Sequence, residues 1–133
     1  MEVLIMGVTH KTAAHRLHIS VRSVGTHLAH IRQALAARTA YAMGAYAVRF
    51  KHVDPDAVVT RASARTSGRW ISPTTRQSTI LRLLASGATD QEIAAKIGIS
   101  ETTVRRDVSR LAVANGAPAR ITAGALFEAL GWN

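Results

Sequence analysis

A chain of 133 residues with 17 Lys and Arg against 8 Asp and Glu has room for one ordinary domain or two very small ones. Its formal net charge of +9 points to a polyanionic partner, whether DNA, RNA or an acidic membrane surface, and says nothing about fold. The absence of cysteine excludes disulfides, zinc-finger sites and thiol catalysis.

The opening stretch from Met1 to Gly7 has no basic flank, and its apolar run is too short for a signal peptide. No segment approaches the length of a membrane span, so a cytoplasmic protein with no membrane contact is expected. Abundant alanine and arginine suit a bacterial or phage source. No glycine-rich phosphate loop, nucleophile elbow or catalytic carboxylate pair is present, so the chain does not read as an enzyme, and no cofactor is implied.

Shifted by 80 positions, the chain aligns with itself without gaps. Identical pairs include Gly7/Gly87, Thr9/Thr89, Ile19/Ile99, Ser20/Ser100, Val24/Val104, Gly44/Gly124 and Ala45/Ala125. The alanine matches are common in helical sequence, but the others fall where helices begin, end or pack. The expected fold is therefore all-α, with two tandem four-helix units joined by a linker. The first unit, residues 1–50, is N-terminally truncated, because Met1 aligns with Leu81. It keeps a turn around Ile19 and Ser20 and a fourth helix over 39–50. Residues 51–73 form the linker. Asp54-Pro55 is an N-cap and N1 pair for a short helix through Val58, Val59 and Ala62, and residues 65–69 read as flexible and basic.

The second unit, residues 74–133, carries its helix signals one after another. Thr74 with Gln77 is a capping box, and Ile80, Leu81 and Leu84 follow at helical spacing until Gly87. Thr89 with Glu92 opens a short helix with Ile93, Ala94 and Ile97 inward, closed by Gly98. Ser100 caps a third helix through residue 114, with Val104, Val108 and Leu111 on one face. Its opposite face presents Arg105, Arg106, Ser109 and Arg110. Asn115-Gly116 ends it, and Pro118 begins a fourth helix that runs to Gly131.

The run from Thr89 to Val104, a short helix, a tight turn and a Ser-capped second helix, resembles the helix-turn-helix of the LuxR/NarL (GerE-type) regulators, and the resemblance covers about residues 74–131. It implies a sequence-specific, double-stranded DNA-binding transcriptional regulator that lays the helix 100–114 in the major groove. It further implies that Arg105, Arg106 and Ser109 face bases, while Thr102, Thr103 and Arg110 hold phosphates. Arg120 matches a family arginine more often structural than base-contacting, and Asn115 stands where a leucine is usual. In the first unit the base-facing positions are Gly25, Thr26 and Ala29, a poor reading surface, although Arg22 and Ser23, with His27, His30 and Arg32, remain available to phosphate.

The fourth helix commonly makes the dimer contact in that family. The pairs Gly44-Ala45 and Gly124-Ala125, with Ile121, therefore mark an interface, either within one chain as a pseudo-dimer or between two chains as a homodimer. All six histidines lie within the first 52 residues, but no carboxylate or cysteine accompanies them at ligand spacing, so a surface or phosphate-facing role is expected and not a metal site. The competing reading is an adaptor similar to the promoter-binding region of sigma factors, its first unit docking on RNA polymerase or another protein.

Overall fold

The computed structural model describes residues 9–133; Met1 and Gly7, used above to align the chain with itself, lie outside them. The described residues form eight helices and no strand: α1 (His10–Leu17), α2 (Val21–Ala34), α3 (Ala40–Arg49), α4 (Pro55–Thr66), α5 (Thr75–Ala85), α6 (Asp90–Ile97), α7 (Glu101–Ala114) and α8 (Arg120–Ala129). The boundaries of α1, α2 and α3 recur in α6, α7 and α8 at an offset of 80 residues. Local chemistry accounts for them. The hydroxyls of Thr9, Ser20 and Thr39 cap α1, α2 and α3, and those of Thr89 and Ser100 cap α6 and α7. Both capping boxes close reciprocally, Thr74 with Gln77 and Thr89 with Glu92. Where Gly98, Gly116 and Gly131 leave their helices in the left-handed conformation, His18, Ala36 and Lys51 do so eighty residues earlier. Without glycine, each of these exits costs about 1–2 kcal/mol of backbone strain.

One core joins α3 to α8. Tyr41 and Ala45 of α3, Val58 and Ala62 of α4, Ile80, Leu81 and Leu84 of α5, Ile93 of α6, Val104, Val108 and Leu111 of α7, and Leu126 and Phe127 of α8 are all buried in it. The α1–α2 pair has its own small cluster of Ala13, Ala14 and Val24, backed by Ile19 and Leu28. A second cluster, Ala37, Ala42 and Met43 with Leu28, Ile31 and Ile121, ties it to the rest.

The segment after α3 does more than tether. Asp54 caps α4 and Pro55 takes its first turn, as the sequence predicts, but the helix continues through Arg65 and Thr66 and packs on α8. A Cβ on Gly116 would sit 3.0 Å from the Ala62 carbonyl oxygen and the Thr66 methyl, and Arg65 donates to the Gly116 carbonyl at 3.0 Å. Residues 65 and 66 are therefore fixed by packing that their basic, small-residue composition did not reveal.

The closest approach is between α3 and α8. A Cβ at Gly44 would overlap the Ile121 carbonyl, and one at Gly124 would overlap the Tyr41 carbonyl. Ile121 stands at the +80 position of Tyr41, so the two contacts are reciprocal, as they are across a two-fold interface. Arg49 clamps the edge through two hydrogen bonds to Glu128 at 2.9 and 3.2 Å. Burial by itself would raise the Glu128 carboxyl, but the hydrogen bonds from Arg49 and Asn133 outweigh it and hold the group below the usual carboxylate range. A lowered carboxylate stabilises at neutral pH, and that contribution is lost as pH falls through its folded value. Tyr41, whose phenol is pushed up by burial and by Glu128, bonds Asn133 from the same interface.

Backbone cannot give way as a flexible side chain can, so Gly44→Ala or Gly124→Ala is expected to cost at least the ~1–3 kcal/mol of ordinary overpacking. The control is Gly25→Ala in α2, where a Cβ meets nothing within 4 Å and helix propensity favours alanine by about 1 kcal/mol. Thermal denaturation should lower Tm for the first two and raise it for the third; unchanged Tm in Gly44→Ala and Gly124→Ala would contradict the close contact.

Candidate nucleic-acid interface

Helices α6 and α7 are joined by a turn through Gly98 and Ile99, and Ser100 accepts the Thr103 amide at 3.1 Å to start α7. Val104, Val108 and Leu111 are buried beneath α7, while Thr102, Arg105, Arg106, Ser109 and Arg110 are exposed along it. Thr103 is half-buried, its hydroxyl 2.8 Å from that of Ser100. The cationic side chains thus share one solvent face of a capped helix, with the serine and threonine hydroxyls among them.

The arginines are not equivalent. Arg105 donates to Glu101 at 2.9 Å and approaches Asp90 at 3.8 Å. Asp90 is fixed in turn by two hydrogen bonds from Arg120, at 2.8 and 3.1 Å. This network aims Arg105 and welds the start of α8 to α6, the structural part that the sequence comparison implied for Arg120. Arg106 and Arg110 make no ion pair among the described residues and stand as open donors.

Two supports of α7 were missed in the sequence. Asp107 is nearly buried and takes two hydrogen bonds from Arg76 of α5, at 2.7 and 3.0 Å. Its inward register beside Val104, Val108 and Leu111 was the available signal, since a buried carboxylate requires a cationic partner. Asn115, fully buried, accepts from the Ile71 amide at 2.8 Å and donates to the Ile71 and Leu111 carbonyls at 3.0 and 2.9 Å. The amide at the position where leucine is usual therefore pins the chain entering α5 to the end of α7.

Arg22, Gly25, Thr26 and Ala29 are exposed on α2, and Ser23 is half-buried with its hydroxyl bonded to Ser20 at 3.0 Å. Every member of the Asp90, Glu101, Arg105 and Arg120 network is replaced at the −80 position, by His10, Val21, Gly25 and Ala40. The residues singled out as an interface, Gly44, Ala45, Ile121, Gly124 and Ala125, come together at the α3–α8 contact within this one chain. Among the described residues no group of three metal-ligating side chains occurs, and no helix is long and apolar enough to cross a membrane.

Residues 72–112 match the model of the bacterial regulatory proteins of the luxR family. A luxR-family helix-turn-helix domain, a DNA-binding regulatory domain, is thus found over α5, α6 and most of α7. The match does not extend over α1–α3. No curated protein and no solved structure matches the chain.

The Asn115 support is testable on its own. Asn115→Leu restores the residue usual at this point of the family but leaves the Ile71 amide without its acceptor, which costs ~1–3 kcal/mol in a buried site. Chemical denaturation should show that loss; a variant as stable as the parent would show that the three hydrogen bonds contribute nothing.

Proposed function

We propose that the chain is a sequence-specific transcriptional regulator that reads double-stranded DNA in the major groove with α7. The observation that carries this reading is the exposed Arg105, Arg106, Ser109 and Arg110 face on the second helix of a luxR-family helix-turn-helix. Arg106 is the principal base reader, being open and next to the motif valine, because a planar guanidinium donates twice to a guanine edge. Arg105, already aimed by Glu101 and Asp90, and Ser109 read the neighbouring bases. Thr102, Thr103 and Arg110 fix register on phosphates.

The same reading takes α1–α3 as a degenerate counterpart of α6–α8 and the α3–α8 contact as an intrachain pseudo-dimer interface. Support comes from the common offset of 80 residues in helix boundaries and from the reciprocal glycine contacts. The glycine faces of α3 and α8 cover each other, which leaves neither for a second chain. The two groove-facing helices α2 and α7 then address successive major grooves roughly 34 Å apart. The site is asymmetric, since Gly25 and Ala29 offer no donor where Arg105 and Ser109 do, and Arg22 with Ser23 holds phosphates.

Sites selected from a random duplex pool provide the test. Arg106→Ala should cost ~1–3 kcal/mol on the selected site and relax preference at one base pair, while affinity for random DNA changes far less. With about five phosphate contacts, log affinity against log salt should fall with a slope near −4 to −5. Equal losses on selected and random DNA would refute base reading by α7, and a slope near zero would refute DNA as the partner.

A further inference from the structure

We infer that the α1–α2 surface is a proton-linked phosphate grip, whose exposed histidines take up protons when the chain binds duplex DNA. This rests on the DNA-binding reading above and adds a regulation to it. His10, His15 and His18 lie on α1 and the turn after it, His27 and His30 on α2, and His52 just beyond α3; all six are exposed. His30 occupies the −80 position of Arg110, so a titratable donor stands where the second unit has a permanent cation.

The surroundings are unusual in lacking acid. From residue 9 to residue 53 there is no Asp or Glu. The charged neighbours on α1 and α2 are Lys11, Arg16, Arg22 and Arg32, with Arg38, Arg49 and Lys51 further along. Among the described residues, the acids ion-paired with this half of the chain are Glu92 and Glu128, engaged by Arg38 and Arg49 respectively, and Asp54 and Asp56 follow only His52 closely along the chain. The second unit, by contrast, carries Asp90, Glu92, Glu101, Asp107 and Glu128. No carboxylate on α1, α2 or α3 therefore competes with phosphate for a protonated imidazole.

Imidazole ordinarily titrates at about pH 6.5, inside the physiological range. A phosphate within a few ångströms favours the cation and raises the titration point in the complex. A group whose value is higher in the complex strengthens binding below its free value, and that contribution is lost as pH rises through the value in the complex. Affinity should accordingly fall between pH 6 and pH 8, by about 5–10-fold for each histidine that meets a phosphate with a shift of about one unit.

Two measurements on the full chain and a selected duplex decide the matter. Fluorescence anisotropy at pH 6, 7 and 8 and constant ionic strength should show the fall. In the exposed-surface variant His15→Gln, His18→Asn, His27→Gln, His30→Gln the profile should flatten, whereas Arg106→Ala should lose affinity equally at each pH. Calorimetry of the unsubstituted chain at pH 7 in phosphate and in Tris, buffers of different ionisation enthalpy, should register net proton uptake without any substitution. Binding with no proton uptake, or a pH dependence that survives in the histidine variant, overturns the grip while leaving DNA recognition by α7 intact. Failure to bind duplex DNA at any pH overturns both.

Discussion

Everything else in the molecule is hung from the contact of two backbones. Gly44 and Gly124 let α3 and α8 approach until each glycine lies on a carbonyl of the other helix, a spacing no Cβ could enter. Only such an approach brings Tyr41, Ala45, Leu126 and Phe127 into the core that also roofs α5, α6 and α7. The ion pairs around α7 sit on the same frame: Arg120 at the start of α8 grips Asp90, Asp90 faces Arg105, and Arg76 of α5 holds Asp107 from beneath. In each pair the carboxylate is largely buried and the arginine more exposed, so removing the cation would leave a carboxylate out of water without its partner. Their consequence is positional, because they fix where a guanidinium points before any ligand arrives.

The two halves are built from the same boundaries and spend their charge differently. The second half interleaves acids with arginines, so its cations are partly committed and directional. The first half has arginine, lysine and histidine with no acid between residues 9 and 53, a small alanine-rich cluster beneath, and three left-handed exits without glycine. Diffuse positive charge over a weak core suits adhesion to a regular polyanion, for which exact side-chain geometry matters little. An open arginine beside an aimed one, on a well-supported helix, suits discrimination between bases.

What could be read from the sequence was local in cause. Capping hydroxyls, reciprocal Thr/Gln and Thr/Glu boxes and helix-ending glycines act over three or four residues, so α5, α6 and α7 were legible almost to the residue. The outward face of α7 followed from the 3.6-residue period alone. Glycine at 44 and 124 announced a close approach, although the partner helix had to come from the coordinates. Interactions that cross 30 residues or more, Arg76 with Asp107, Arg120 with Asp90 and Asn115 with Ile71, left at most a sign on one partner, such as the inward register of Asp107, and nothing that named the other. The packing of α4 escaped for a related reason. With only Val58 and Ala62 buried it shows too thin an apolar stripe to separate a docked helix from a tether. Pro118, read as the first turn of the last helix, lies just before it, because Ala119 supplies the cap position and Arg120 begins the helix.

The central claim is that one chain addresses two successive grooves and reads sequence in only one. It is tested most directly by hydroxyl-radical footprinting on a selected duplex, with the mass of the complex measured in parallel by sedimentation. The account predicts one chain per site, two protected backbone segments about one helical turn apart, and base substitutions that weaken binding only within the segment under α7. Two chains on a palindromic site, or a single protected segment, would contradict it.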